Sequence, residues 1–174
     1  VYIDSCVVTV YTDDSVFVQP LTLTWSNGNL TNPANVATSN NVYATYVETS
    51  SGTSRYARWS TDAASKLPAQ AVVVGFVMNV EYKVSTVASS PLLAAGPGSF
   101  GALGTATPIT PTTADAIYKF GGPADALGAK TRSDVTMASI RYTQSTSTST
   151  THSVDWVAAT VYWKYPSTGP NKLF

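Results

Sequence analysis

The chain has little of what catalysis draws on. Among 174 residues there is one cysteine, Cys6, and one histidine, His152, and only 11% are charged. A single cysteine excludes an intrachain disulfide, so the fold has to hold by packing. Set among Val7, Val8 and Val10, Cys6 reads as a small buried hydrophobe. One histidine without a cysteine cluster leaves a zinc site short of ligands. Ten basic residues balance ten acidic ones, so no basic excess remains to bind a nucleic-acid backbone. No apolar run approaches the roughly 20 residues of a membrane helix. The opening Val1-Tyr2-Ile3-Asp4 carries no basic segment followed by an apolar one, so no leader peptide is read there. There is no internal repeat, and no stretch with the period of a helix of ordinary length.

What is present is strand sequence. Hydrophobic residues make up 44% of the chain, enough for one domain with a true core. Residues 72–84 place Val72, Val74, Phe76, Met78, Val80, Tyr82 and Val84 at even positions, while the odd ones drift to Asn79, Glu81 and Lys83. A period of two predicts a long strand with one buried face. Further strands are predicted at 2–11, 16–25, 42–48, 55–60, 117–120, 135–144 and 153–165, with Pro20 marking an edge or a bulge. Residues 88–115, rich in Ala, Gly, Pro and Thr, read as a long irregular connection with room for one short strand. Residues 124–129 have room for one helical turn, and 145–151 read as a polar hairpin loop. On the last strand Trp156 and Tyr162 share one face, and Trp163 and Tyr165 share the other with Val157 and Val161. Both faces are therefore apolar, which predicts cover on both sides. Eight or so strands and almost no helix predict an antiparallel β-sandwich of jelly-roll type.

Candidate sites weigh little. Gly96-Pro97-Gly98-Ser99-Phe100-Gly101 matches the spacing of a dinucleotide loop, but a strand before it and a helix after it are missing. His152 has Asp155 three residues on, which a regular strand would turn to the opposite face. Glu48 and Glu81, the only glutamates, fall at outward strand positions, so no facing pair for glycoside hydrolysis is assembled. Loop carbonyls around Asn40 and Asn41 offer a possible calcium site. No enzyme activity, cofactor or resident metal is expected. Trp25, Trp59, Trp156, Trp163 and ten tyrosines serve a core first, then a subunit contact, then a sugar-stacking platform.

The order of motifs carries a resemblance. Trp25-Ser26-Asn27 precedes Asn32-Pro33-Ala34-Asn35 and Asn40-Asn41-Val42-Tyr43-Ala44. Leu67-Pro68 precedes Ala71-Val72-Val73-Val74-Gly75. Then come Tyr118-Lys119-Phe120-Gly121-Gly122 and Ser153-Val154-Asp155-Trp156-Val157, closing on Thr160-Val161-Tyr162. Over roughly residues 22–165 this resembles a jelly-roll-like β-sandwich module of tailed-phage virion proteins. Asn40 departs from the Asp usual there, and Ala126 from the Leu that commonly opens a Leu-Trp-Gly.

The resemblance implies a structural subunit of the virion, of the capsid decoration, head-fibre or tail accessory type. It would be assembled in the host cytoplasm as a homo-oligomer, a trimer by analogy, against the major capsid or other virion proteins. The expected organisation is one sandwich domain at 1–165 and a tail at 166–174. Expected partner contacts are Trp163, Tyr165, Leu173 and Phe174. The alternative is an extracellular carbohydrate-binding or adhesion module that recognises surface glycans. It requires aromatic rings at loop tips or on an open sheet face.

Overall fold

Period-two sequence becomes sheet wherever its apolar face finds a second sheet to pack on. The structure, a computed structural model, describes residues 15–98 and 107–167. The expected strand at 2–11, Cys6, and the pair Leu173 and Phe174 lie outside these. The described strands are β1 (Phe17–Leu21), β2 (Leu23–Gly28), β3 (Ala44–Glu48), β4 (Arg55–Thr61), β5 (Val72–Val84), β6 (Leu92–Pro97), β7 (Ala116–Gly122), β8 (Met137–Thr143) and β9 (Thr150–Lys164). One antiparallel sheet runs β1-β9-β5-β7, with β3 also paired to β9; the other runs β2-β4-β8-β6. Helix is confined, among the described residues, to the short α1 (Ala63–Lys66) and two 3₁₀ turns, Pro33–Ala37 and Arg132–Val135.

The chain changes sheet at every strand-to-strand step. The Leu93–Ile109 bridge alone adds a partner on the outer side of β6 before β7 returns to the first sheet. This alternation is the jelly-roll wrap of an antiparallel sandwich. It also corrects two sequence expectations. Residues 16–25 are two strands in different sheets, because the chain crosses over at Thr22 between β1 and β2. Residues 145–151 join β8 to β9 across the sandwich and are no hairpin. Pro20 sits on β1, which among the described residues pairs only with β9; a residue without an N–H suits such an edge. Residues 124–129 form no helix, and Asp125 bridges back to Gly122 instead.

The core lies between the sheets. Phe76, Met78, Val80, Tyr82 and Val84 of β5 and Val157, Ala159, Val161 and Trp163 of β9 supply one wall. Ala57 and Trp59 of β4, Ala138, Ile140 and Tyr142 of β8, and Leu93 and Ala95 of β6 supply the other. Each such large side chain contributes about 1.5–3 kcal/mol by leaving water. The phase of β5 slips once. Its register with β9 shifts between Val73 and Gly75, so Val73, not Val72 or Val74, joins the buried side. Gly75 follows from packing: a Cβ there would overlap the Pro123 carbonyl. The turn that carries Pro123 is tied down next door, where the Phe76 N–H donates to the Asp125 carbonyl at 3.0 Å.

Replacing Gly75 with Ala is expected to push this turn off β5 and cost about 2 kcal/mol or more. Equilibrium urea unfolding measures the loss, and a neutral result would mean the turn yields freely.

Candidate functional site

Strand β9 decides which side chains are available. It pairs with β5, β1 and β3. Against β5 its register shifts at Asp155. A bulge adds one residue and so restores the buried phase on both sides of itself. His152 and Val154 before the bulge, and Val157, Ala159, Val161 and Trp163 after it, are all buried. Trp156, Ala158, Thr160, Tyr162 and Lys164 are left on the outer face, partly open to solvent.

Asp155 itself is buried. Its carboxylate accepts the N–H groups of Asn40 (3.0 Å), Asn41 (3.0 Å) and Val42 (3.1 Å). Three converging N–H groups favour an anion and repel a cation. The loop at Asn40 and Asn41 is thus a clamp on Asp155 and is unsuited to calcium. The clamp sets the amide-rich loop beside the residue that precedes Trp156.

The outer face of this sheet is laid out in rows. Trp156 stands opposite Glu81 of β5, and Glu81 opposite Ile117 of β7. The next row is Ala158, Asn79 and Lys119; the next is Pro20, Thr160 and Val77; the last pairs Val18 with Tyr162. Neighbouring strands are about 4.8 Å apart, and six residues along β9 separate the two aromatic positions by about 20 Å. Small side chains floor the space between the rings. Near the Glu81 end, Lys83 pairs with Asp115 at 3.1 Å and lies over the Tyr43 ring at 3.9 Å from its centroid. Tyr43 donates its hydroxyl to Asp115 at 2.6 Å. That bond holds the Asp115 carboxyl below its ordinary range and the Tyr43 phenol above its own. The three side chains form a fixed polar rim.

The other candidates fall elsewhere. His152 is fully buried, stacked on Tyr142 with ring centroids 4.9 Å apart, and Tyr82 bonds its Nδ1. Burial keeps Tyr82 protonated. The Tyr82 hydroxyl and Nδ1 share one hydrogen bond, and Nε2 is buried without a partner. Glu48 points inward, correcting the outward expectation. Burial alone would raise its carboxyl; Arg55 at 2.6 Å and the N–H groups of Ser50 and Thr49 outweigh that and hold it low. Gly96 and Pro97 end strand β6, and Ser99, Phe100 and Gly101 of that motif lie outside the described residues.

Of the expected partner contacts, Trp163 is only 7% exposed and packs in the core, stacked on Phe17 at 4.7 Å. It is opposite Val73 in the register, on the buried side, and so is not itself a surface residue. Tyr165 is 40% exposed and edge-on to both Phe17 and Trp163. Leu173 and Phe174 lie outside the described residues. Trp59 is also core, and Trp25 leans edge-on against it at 5.7 Å. Trp156 is therefore the tryptophan on the outer sheet face. The sequence carried that signal in the shared face of Trp156 and Tyr162. Which face the second sheet would cover was not legible. Among the described residues no group of three or more His, Cys, Asp and Glu gathers to hold a metal ion.

No family model matches the chain, and no curated protein does. Several solved structures are similar to it, two of them as follows. One is a crystal structure with a xylogluco-oligosaccharide, at 15% identity, covering 85% of this chain and 39% of that one, with a TM-score of 0.44. The other is a family two carbohydrate esterase from Cellvibrio japonicus, at 8% identity, covering 87% of this chain and 36% of that one, with a TM-score of 0.33. This chain thus spans well under half the length of either.

The buried histidine predicts an acid-sensitive fold. Burial pushes His152 down to about 4, against slight opposition from Glu48, whereas the unfolded chain takes the proton near 6.5. Between these values the unfolded state binds the proton and the folded state excludes it. Stability is full above about pH 6.5 and falls as pH drops toward 4, by on the order of 3 kcal/mol. His152→Phe should keep the stack and flatten this slope in urea unfolding at stepped pH. An unchanged slope would assign it to other groups.

Proposed function

We propose that the outer face of the five-stranded sheet binds carbohydrate, making this domain a non-enzymatic glycan-recognition module. The observation that carries the reading is Trp156 and Tyr162 on one open sheet face, about 20 Å apart along β9, with polar and charged residues between and around them. A pyranose has a face of C–H groups and a rim of hydroxyls. An aromatic ring takes the first, and side-chain amides and carboxylates take the second. The two rings are spaced for a chain of about four sugar rings laid along the strand. Charge weighs against a protein partner on this face. The middle of a protein interface is depleted of charge, whereas Glu81, Lys119, Lys164 and the Lys83–Asp115 pair all stand here.

A subunit-contact role, as in the virion resemblance, is the second reading, and a different surface favours it. Val16, Phe17 and Val18 are 49%, 38% and 57% exposed on and beside edge strand β1, next to Tyr165. The strand carries no charge, and an apolar edge of this kind is a template for pairing.

One experiment addresses both. Trp156→Ala should lower affinity for bound oligosaccharides about tenfold or more, and Tyr162→Ala less, by isothermal titration; Trp25→Ala should leave binding unchanged. Light scattering on the same samples reads the oligomeric state. Absence of glycan binding together with a stable oligomer that Phe17→Ser loosens would replace the first reading with the second.

A further inference from the structure

Glu81 is the odd member of the outer face. It lies between Trp156 of β9 and Ile117 of β7, one strand spacing from each. Its Oε2 is covered by the protein, its Oε1 is not, and neither receives a hydrogen bond from a described residue. Neither Lys83 nor Lys119, its charged neighbours on this face, forms an ion pair with it; Lys83 is engaged by Asp115. Every other partly buried carboxylate described in this sheet and its rim is satisfied. Asp155 takes three backbone N–H groups, and Asp115 takes Tyr43 and Lys83. A carboxylate wedged between apolar side chains without donors is unfavourable unless something supplies them. In its ionised form it accepts only, through two oxygens and about four lone-pair directions.

We propose that Glu81 is the specificity-determining acceptor of the site and selects a neutral, hydroxyl-rich sugar over an acidic one. This rests on the carbohydrate reading above and adds the class of sugar. A pyranose stacked on Trp156 carries its rim hydroxyls sideways over the neighbouring strand, where Glu81 stands. Each hydroxyl is a donor, so a neutral ring gives the accessible Oε1 a hydrogen bond that no protein group supplies. A uronic or sulfated ring brings an anion to the same place, with no proton to donate and like charge at close range. The Asp115 carboxylate at the rim is already engaged by Tyr43 and Lys83, which leaves Glu81 as the acceptor free for ligand beside Trp156.

The test compares wild type, Glu81→Gln, Glu81→Leu and Lys119→Gln for binding of neutral gluco-, xylo- and manno-oligosaccharides and of an oligogalacturonate, with thermal melts to confirm folding. Wild type should bind a neutral chain and not the oligogalacturonate. Glu81→Leu should weaken neutral binding about tenfold. Glu81→Gln should narrow the preference by admitting the acidic chain, and Lys119→Gln should change little. If neutral chains bind and both Glu81 variants match wild type, the role of Glu81 is overturned while the platform stands. A wild type that prefers the oligogalacturonate overturns the selectivity in the same way. If wild type binds none of these chains, the platform reading fails and this inference with it.

Discussion

The pairing of β9 with its neighbours is the interaction on which the rest of the structure depends. One strand of 15 residues holds β5 along one side. On the other side it holds β3 near its start and β1 near its end. Without it the five-stranded sheet has no continuous edge-to-edge connection. The bulge at Asp155 is what lets so long a strand serve one core. A regular strand would have kept a single alternation, and the sheet would have had to stay in step with its twist throughout. The bulge resets the alternation and spends its extra residue on the loop clamp. Trp156, immediately after it, is thereby turned outward.

The two sides of this sheet are built on opposite terms. Inside, the expensive groups are polar. The Nε2 of His152, the hydroxyl of Tyr142, the indole N–H of Trp59 and Oε1 of Gln144 are all buried without partners. Each costs on the order of 1–3 kcal/mol relative to a satisfied group. The surrounding aromatic stacks and the dense hydrophobic wall offset this, and they hold the imidazole neutral. Outside, the unusual groups are apolar rings left in water, set among amides and charges. A face designed only for solubility would not keep a tryptophan and a tyrosine in line. Glu81 stands one strand away from the tryptophan, in the same row.

Much of the fold was legible in the sequence. The long strand at 72–84 and the closing strand both appear within a few residues of their expected bounds. Among the described residues the edge character of the Pro20 strand and the division of Trp156 and Tyr162 from Trp163 also hold. The misses have separate causes. The slip at Gly75 exists because the Pro123 turn sits on β5, and Pro123 is remote in sequence. Glu48 looked outward because its strand alternates, yet it ends that strand where Arg55 and two N–H groups could receive it. The supposed hairpin at 145–151 had hairpin composition and crosses between sheets instead.

The sequence by itself therefore determined what is local. It set which segments are strands and which side chains share a face within each, because alternation is a property of the backbone over neighbouring residues. The tertiary structure alone decided which face is inside, which strands pair, and which carboxylates are satisfied. Those depend on partners far along the chain, such as Asp155, which lies 115 positions beyond Asn40. No local pattern encodes a partner at that distance, and so the open face with Trp156, Glu81 and Tyr162 becomes visible only once the second sheet has covered the other.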